Sequence, residues 1–250
     1  MNIENIPTTD DLRDSRIAMA HWLDRLTDLN VPVPETHQLK LDHSQDGPPE
    51  WDSTTATDLV HRLGGEAFIR SDLKSAQMDI EKGSHISNPT TEVIDKTLYE
   101  LIMQHLMMEV PLGQQLYLRE WLDLEWWTAN RRTLHPEVRV FIRDGEVTCH
   151  HQRTEWDSIN AQTDEYKAQA AELIKHHWDS INTYASQIAD EFQDDSWFSV
   201  DFVIDTEENI YCTDMALDAL IQRDGEWHNI SHHPDSCPHD LEAMIGAADQ

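Results

Sequence analysis

The stretch SVDFVIDTEENIYCTDMA, residues 199–216, does most to decide the fold. Its two halves alternate apolar and polar residues around the polar loop TEEN, a pattern typical of a β-hairpin. If Asp205 pairs with Ile210 across this loop, the same register places Asp201 directly opposite Asp214. Side chains opposed in this way lie about 4.5–5.5 Å apart at Cβ and repel each other when their charges are alike.

The opposed carboxylates indicate a candidate cation site. A divalent ion between Asp201 and Asp214 would turn their repulsion into attraction, and Mg²⁺ is usually held by one or two carboxylates together with phosphate oxygens. The alternative is a different register, or two solvated side chains, since chance carboxylate pairs are common in a chain this rich in acid. The spacing alone leaves both interpretations open.

A second hairpin is predicted upstream, in VRVFIRDGEVTCH, residues 138–150. Its Asp144-Gly145 dipeptide is the favoured two-residue type I′ loop, which fixes the pairing of the strands. The resulting register pairs Arg143 with Glu146, Ile142 with Val147, Val140 with Cys149, and Arg139 with His150.

The other predicted elements make the fold class α+β. Helical periodicity predicts helices over residues 10–29, 56–63, 91–109 and 164–192, and short strands are predicted at 67–70 and 116–122. Helices combined with antiparallel hairpins predict antiparallel sheets with helices packed on them. No regular structure is predicted from Asp218 onward.

Two cations follow the first of these strands. Arg70 lies at its end and Lys74 in the loop after it, within FIRSDLKSA (68–76). A cationic loop beside a carboxylate-bound metal commonly neutralises phosphate charge. There is no GxxxxGK[ST] motif, so the loop is not a P-loop. The alternative is that both cations pair with acids on the surface.

Charge and composition limit the classes of molecule that the protein is expected to bind. The 250 residues contain 18 Lys and Arg against 48 Asp and Glu, a formal net charge of −30. Such an acidic surface disfavours nucleic acid and anionic membranes. Acid spread along the whole chain is typical of proteins from salt-loving organisms, whose molar salt screens repulsion. Three cysteines and no apolar run or signal sequence predict a reduced, cytoplasmic protein.

Taken in order, these segments resemble the ATP-grasp superfamily. The resemblance spans residues 17–216 and is closest to small proteins of the cell-division-cycle-123-like kind and to those of archaea and their viruses. It rests on NVPVPET after the first helix, EAFIRSDLKSA (66–76), YLREWLDLEWW (117–127), the hairpin at 135–153 and the hairpin at 196–216.

This resemblance implies an ATP-grasp core of two α+β subdomains with the nucleotide cleft between them. The expected boundaries are 1–115, 116–217 and a polar tail, 218–250, and the expected cofactors are ATP and Mg²⁺. The resemblance assigns Asp201 and Asp214 to Mg²⁺, Arg70 and Lys74 to phosphates, the Glu120 and Trp121 backbone to the adenine hinge, Asp123 or Glu125 to the ribose, and Arg139 to the γ-phosphate or acyl-phosphate as the catalytic residue.

The implied activity is ATP-dependent ligation of a carboxylate to an amine or thiol through an acyl-phosphate, with the acceptor, a small molecule or peptide, left open. The alternative is a nucleotide-dependent assembly factor for a partner protein, as the cell-division-cycle-123-like relatives are. A third possibility is an acidic binding module that takes no nucleotide.

The sequence departs from the family pattern in three places. The usual Glu-x-Asn is here Asp214-Met215-Ala216, and Ala216 cannot bind a metal. Lys74 precedes the usual lysine position, where Gln77 stands. Only about 16 residues precede the first core helix, too few for the Rossmann-like domain that opens most ATP-grasp proteins.

A zinc site is a separate, less favoured interpretation of the tail. Cysteine and histidine are the preferred Zn²⁺ ligands, but prolines interrupt this segment and it lacks helical periodicity. The candidate ligands are His228, His232, His233, Cys237 and His239, with Cys149, His150 and His151 upstream.

Overall fold

The computed structural model describes residues 18–43, 48–72, 84–107, 112–124, 127–129, 132–152, 164–194, 197–217, 220–223 and 226–229. Two of the predicted site residues, Lys74 and Glu125, lie outside this part of the chain, as do four of the five tail candidates for zinc. The predicted α+β fold is confirmed, with two four-stranded antiparallel sheets and packed helices. The chain divides into two units, Met1–His21 with Pro34–Trp121, and Trp22–Val33 with Leu122–Gln250.

The first unit is built on a sheet with the strand order β1-β4-β2-β3. Every pair in this sheet is antiparallel. Its strands are β1 (Thr36–Lys40), β2 (Glu66–Ser71), β3 (His85–Ser87) and β4 (Gln115–Glu120). Its helices are α2 (Ser53–Arg62) and α3 (Thr91–Met107), and they pack against the sheet and each other.

Capping and apolar burial explain why the first unit forms. The Asp52 carboxylate accepts the N–H groups of Thr54 and Thr55 at 2.9 and 3.1 Å and so starts α2. The hydrogen bonds from Thr55 hold the pKa of Asp52 below its usual value. Apolar residues of both helices and all four strands form one core, including Leu39, Val60, Ile69, Leu98, Leu101 and Leu118.

The second unit is built on a sheet with the order β10-β9-β7-β8. The strands are β7 (Glu137–Arg143), β8 (Glu146–Gln152), β9 (Trp197–Ile204) and β10 (Ile210–Leu217). Its helices are α4 (Asp164–His176) and α5 (Trp178–Glu191). Two further antiparallel pairs join β5 (Trp127–Ala129) to β6 (Arg132–Leu134), and β11 (Leu220–Arg223) to β12 (Glu226–Asn229).

One face of the second sheet packs against α5. Ring contacts join His150 to Trp178 at 4.4 Å and Phe202 to Tyr184 at 6.5 Å between centroids. The buried strand residues on this face are Val138, Val140, Ile142, Phe198, Val200, Phe202 and Ile204. Because side chains alternate along a strand, Arg139 and Asp201 lie on the other face.

The chain enters the second unit through the end of α1 (Met19–Asp28) and the residues after it. The Arg25 guanidinium bridges Glu191 at 2.8 Å and lies 3.7 Å from the centroid of the Phe192 ring. The Cys212 N–H donates to the carbonyl of Pro32 at 2.7 Å. These contacts anchor α1 and the proline-rich segment to α5 and β10.

Several elements differ from the sequence predictions. The first unit extends to Trp121, because β4 pairs with β1 and β2 inside the first sheet. The predicted helix over 164–192 is two helices that break at His177. The tail predicted to be irregular from Asp218 contains the β11–β12 pair. Of the helices in the described ranges, none combines the length and apolar character needed to cross a membrane.

Candidate functional site

The predicted metal and catalytic residues form one row across the second sheet. Arg139 on β7 pairs with Asp201 on β9, and Asp201 pairs with Asp214 on β10. On the other side, Arg139 pairs with His151 on β8. Directly opposed residues of antiparallel strands share a face, so the four side chains project from the same face of the sheet.

An ion pair holds the centre of this row. The Arg139 Nε donates to Asp201 Oδ1 and its Nη2 donates to Oδ2, each at 2.7 Å. The side chain of Asp201 is only 2% exposed, whereas that of Arg139 is 30% exposed. The two parallel bonds fix the plane of the carboxylate, and the guanidinium offsets its charge at a depth where an unpaired carboxylate would be costly.

A β-bulge places Asp214 beside Asp201. Next to the turn, Ile210 pairs with Ile204 and not with Asp205, so the predicted starting register was one residue out. Thr213 is then an extra residue on β10, and the register shifts by one between Cys212 and Asp214. The bulge therefore restores the predicted opposition of Asp201 and Asp214, which is confirmed, and it turns Asp214 away from the face packed against α5.

The upstream hairpin contains a similar bulge, and there the prediction was wrong beyond the turn. Asp144 and Gly145 have φ values of 51° and 79°, as a type I′ turn requires. The predicted pairs next to the turn, Arg143 with Glu146 and Ile142 with Val147, are present. Because Thr148 is extra, the observed partners beyond it are Phe141 with Cys149, Val140 with His150, and Arg139 with His151.

The residues predicted to line the adenine hinge have other contacts. Glu120 and Glu35 are joined by a backbone hydrogen bond of 2.8 Å, and Glu120 Oε2 also accepts the Glu35 N–H at 3.3 Å. Trp121 is 37% exposed, and its ring stacks on that of His85 with 3.8 Å between centroids.

The predicted ribose residue Asp123 contacts the turn of the second hairpin. Its Oδ2 accepts the Thr206 hydroxyl at 2.8 Å, and its carbonyl accepts the Thr206 N–H at 2.9 Å. Both bonds lie within the second unit. Asp123 thus fixes the β9–β10 turn, a role that the sequence did not indicate.

Arg70 is buried at the end of β2, close to a second buried acid. Its Nε donates to the Ser71 carbonyl at 3.3 Å. Burial raises the pKa of Asp72, and hydrogen bonds and the charge of Arg70 offset this shift only in part. Hydrogen bonds from Tyr117, Ala20 and Gln115 are the larger offsets to the raised pKa of Asp72, and the charge of Arg70 is the smallest.

The donor set on the second sheet fits a hard cation. An ionised carboxylate has about four lone-pair sites, so Asp201 can accept both bonds from Arg139 and still bind a metal. Asp214 is half-buried, and its Oδ1 accepts the Met215 N–H at 3.0 Å. Ala216, opposite Ser199, adds no ligand. Two carboxylates with water and phosphate oxygens match the preference of Mg²⁺.

Comparison with known proteins adds a likeness of fold. No protein-family model and no curated protein matches the sequence. Among solved structures, Cdc123 from Schizosaccharomyces pombe superposes with a TM-score of 0.51 and 14% identity over 85% of this chain and 86% of that one. This likeness shows the fold. The chain has a fold like that of Cdc123.

Two further solved structures, of a synthetase and of a ligase, superpose with lower TM-scores. D-cycloserine synthetase DcsG gives a TM-score of 0.49 and 15% identity over 83% of this chain and 64% of that one. The ATP-grasp ligase PsnB, complexed with precursor peptide PsnA2 and AMPPNP, gives a TM-score of 0.42 and 12% identity. That match covers 83% of this chain and 51% of PsnB. The chain therefore spans only about half to two thirds of each of these two proteins.

Proposed function

We propose that this chain binds MgATP and uses it as an ATP-dependent ligase that joins a carboxylate to an amine or a thiol. The observation that carries the proposal is the row of Arg139, Asp201 and Asp214 on three adjacent strands. It places two acids and one fixed cation on a single sheet face. A metal-bound triphosphate needs both kinds of group.

In this proposal each residue has a role that suits its charge. Asp201 and Asp214 bind Mg²⁺, and Arg139 neutralises charge at the γ-phosphate or at the acyl-phosphate. Arg70 and Lys74 contact phosphates. The backbone of Glu120 and Trp121 contacts adenine, while Asp123 or Glu125 contacts the ribose.

The proposed reaction has two steps. An oxygen of the acceptor carboxylate attacks the γ-phosphorus, the bond to the β-phosphate oxygen breaks, and ADP leaves. The amine or thiol then attacks the acyl carbon, loses its proton, and expels inorganic phosphate. The protein contributes by positioning the reactants and by offsetting the charge that accumulates on the phosphate oxygens.

A thermal melt with a charge-matched control tests the nucleotide site. The melt is run in about 2–3 M KCl, which screens the chain's self-repulsion, with and without MgATP. The variants are Asp214→Asn and Asp190→Asn, the latter on an exposed position of α5. A ligand at a hundred times its Kd stabilises the folded state by about 2.7 kcal/mol. We expect this shift in the wild type and in Asp190→Asn, and its loss in Asp214→Asn. Equal shifts in all three proteins would contradict the metal assignment.

A second candidate function is a nucleotide-binding assembly factor that has no ligase activity. The position of Ala216 favours it, because the set of metal ligands lacks the Asn that the ATP-grasp pattern has there. Hydroxylamine traps acyl-phosphates as hydroxamates. Hydroxamate formed with ATP and a panel of carboxylates supports the ligase, whereas ATP turnover that requires a partner protein and yields no hydroxamate supports the assembly factor.

A further inference from the structure

A second group of potential metal ligands lies away from the Asp201–Asp214 pair, at the break between α4 and α5. It consists of His176 at the end of α4, His177 in the break and Glu208 in the β9–β10 turn. One ligand atom from each lies within 4.8 Å of the others. All three residues belong to the second unit.

The helix break is what brings the two histidines together. Consecutive residues of an α-helix point about 100° apart, so their rings would normally diverge. His177 instead has φ −97° and ψ 7°, outside the helical range. Its ring meets that of His176 edge to face, with 4.8 Å between centroids and 86° between planes.

The turn that carries Glu208 is held by a buried carboxylate. Asp205 Oδ1 accepts the N–H groups of Glu207 and Asn209 at 3.0 and 2.7 Å, and its Oδ2 accepts the Asn209 amide at 3.0 Å. These bonds keep Glu208 at a φ of 65°, a conformation that few residues other than glycine adopt. The backbone of the turn is therefore fixed around Glu208.

One nitrogen of this group is left without a hydrogen bond among the described residues. His177 Nε2 is buried and has no hydrogen-bond partner there, and it lies 3.6 Å from Glu208 Oε2, too far for a hydrogen bond. An imidazole nitrogen binds a metal ion through its lone pair, and Nε2 of His177 uses that lone pair for no hydrogen bond among the described residues.

We propose that His176, His177 and Glu208 bind a divalent transition-metal ion of the Zn²⁺ class, with water in the remaining positions. Two imidazoles and one carboxylate are a ligand set suited to Zn²⁺ and related ions, whereas Mg²⁺ prefers oxygen alone. The site is thus chemically distinct from the proposed Mg²⁺ site and does not depend on it. Because the ligands come from a helix junction and from a hairpin turn, the bound ion would also tie α4 and α5 to the β9–β10 hairpin.

Titration with Co²⁺ alone tests the site, because cobalt replaces zinc and its visible absorption reports nitrogen ligation directly. The variants are His176→Asn and Glu208→Gln, both at exposed positions. The matched controls are Glu207→Gln in the same turn and His61→Asn on α2, also exposed. We expect both site variants to bind one equivalent of Co²⁺ less than the wild type, and both controls to bind the same amount as the wild type. Zn²⁺ should displace that equivalent and bleach its absorption.

Other histidines and cysteines of the chain can also take up cobalt, so the difference between proteins is the measured quantity. Metal-free thermal melts confirm that each variant is folded before its uptake is compared. Equal uptake by the wild type and both folded site variants would overturn the proposal. Loss of the same equivalent in Asp214→Asn would also overturn it, since the ion would then lie at the carboxylate pair. A failure of the nucleotide proposal leaves this result unaffected.

Discussion

Both hairpins of the second sheet contain a β-bulge, but the two bulges have different effects on the candidate site. In each, one threonine is extra: Thr148 on β8 and Thr213 on β10. Each hydroxyl donates to a carbonyl of the opposite strand, Thr148 to Phe141 at 3.0 Å and Thr213 to Asp201 at 3.4 Å. The first bulge moves His151, and not the predicted His150, opposite Arg139, whereas the second moves Asp214 opposite Asp201.

The difference shows that a turn fixes the register only up to the first irregularity. A bulge adds one residue to one strand, so every later side chain on that strand changes face relative to a regular hairpin. On β8 the change takes His150 into the core beside Trp178. On β10 it takes Asp214 out of the core side. The candidate site therefore depends on the second bulge more than on the turn before it.

Deleting each bulge residue is the largest change to the backbone of the two hairpins. Without Thr213, Asp214 follows Cys212 directly and stays opposite Asp201 in a regular ladder, so we expect any MgATP-dependent shift in Tm to remain. Without Thr148, Cys149 and His150 likewise keep their partners on β7. Both deletions should lower Tm, because each removes a hydroxyl that bonds to the opposite strand. Loss of the MgATP shift in the Thr213 deletion alone would show that the site requires the bulged backbone itself.

Removing the arginine beside the second bulge is the next largest change. Arg139→Met leaves Asp201 buried without its ion-pair partner and should lower the free energy of unfolding by about 3–5 kcal/mol. Arg143→Met is the control on the same strand. Its pair with Asp144 is exposed and 3.3 Å long, so we expect a loss of about 0–1 kcal/mol. Urea unfolding at high salt measures both values.

A double variant checks the cause of that loss. Because the penalty in Arg139→Met comes from an unpaired buried charge, adding Asp201→Asn should recover part of the lost stability. If the double variant is as unstable as the sum of the two single variants, the ion pair is not what Arg139 contributes.

Substitutions in the turns of the two hairpins should cause smaller losses of stability. Asp205→Ala removes the acceptor for the N–H groups of Glu207 and Asn209 and should cost about 1–3 kcal/mol. Gly145→Ala places a side chain at a φ of 79°, which should cost about 1–2 kcal/mol, since the added Cβ meets only ordinary contacts. Urea unfolding compares them, and a larger loss in Gly145→Ala would show that the type I′ turn is the more important of the two.

The sequence pattern indicates the bulge on β10 but gives no indication of the bulge on β8. On β10 the core-facing Cys212 and Met215 are three residues apart, an odd spacing that breaks strict alternation and marks the bulge between them. On β8, Val147 and Cys149 are two apart and read as one regular face, although Thr148 separates their registers. The alternation of apolar and polar residues thus indicates the correct register for the β9–β10 hairpin and an incorrect register for the β7–β8 hairpin.

Two features of the candidate sites could not be predicted from local pattern. The ion pair of Arg139 with Asp201 requires β7 to lie beside β9, a pairing between strands that are not consecutive in the chain. The break at His177 is hidden because Ile174, Trp178 and Ile181 continue the apolar stripe across it. Local periodicity reports which side chains face the core, but it does not report a change of direction that preserves this stripe.

The smallest expected effects come from removing the hydroxyl groups of the two bulge residues, Thr148 and Thr213. Valine keeps the branched shape of threonine and removes only the donor, so Thr148→Val should lose about 0.5–1.5 kcal/mol, the usual net value of a hydrogen bond. Thr213→Val should lose less, because its bond to the Asp201 carbonyl is 3.4 Å long and near the limit for such bonds. Since the backbone, and not the hydroxyl, sets the register, both variants should keep the MgATP shift of the wild type. Loss of that shift in Thr213→Val alone would mean that the hydroxyl itself holds Asp214 on the face of Asp201, and deletion of Thr213, which removes the same hydroxyl, should then abolish the shift as well.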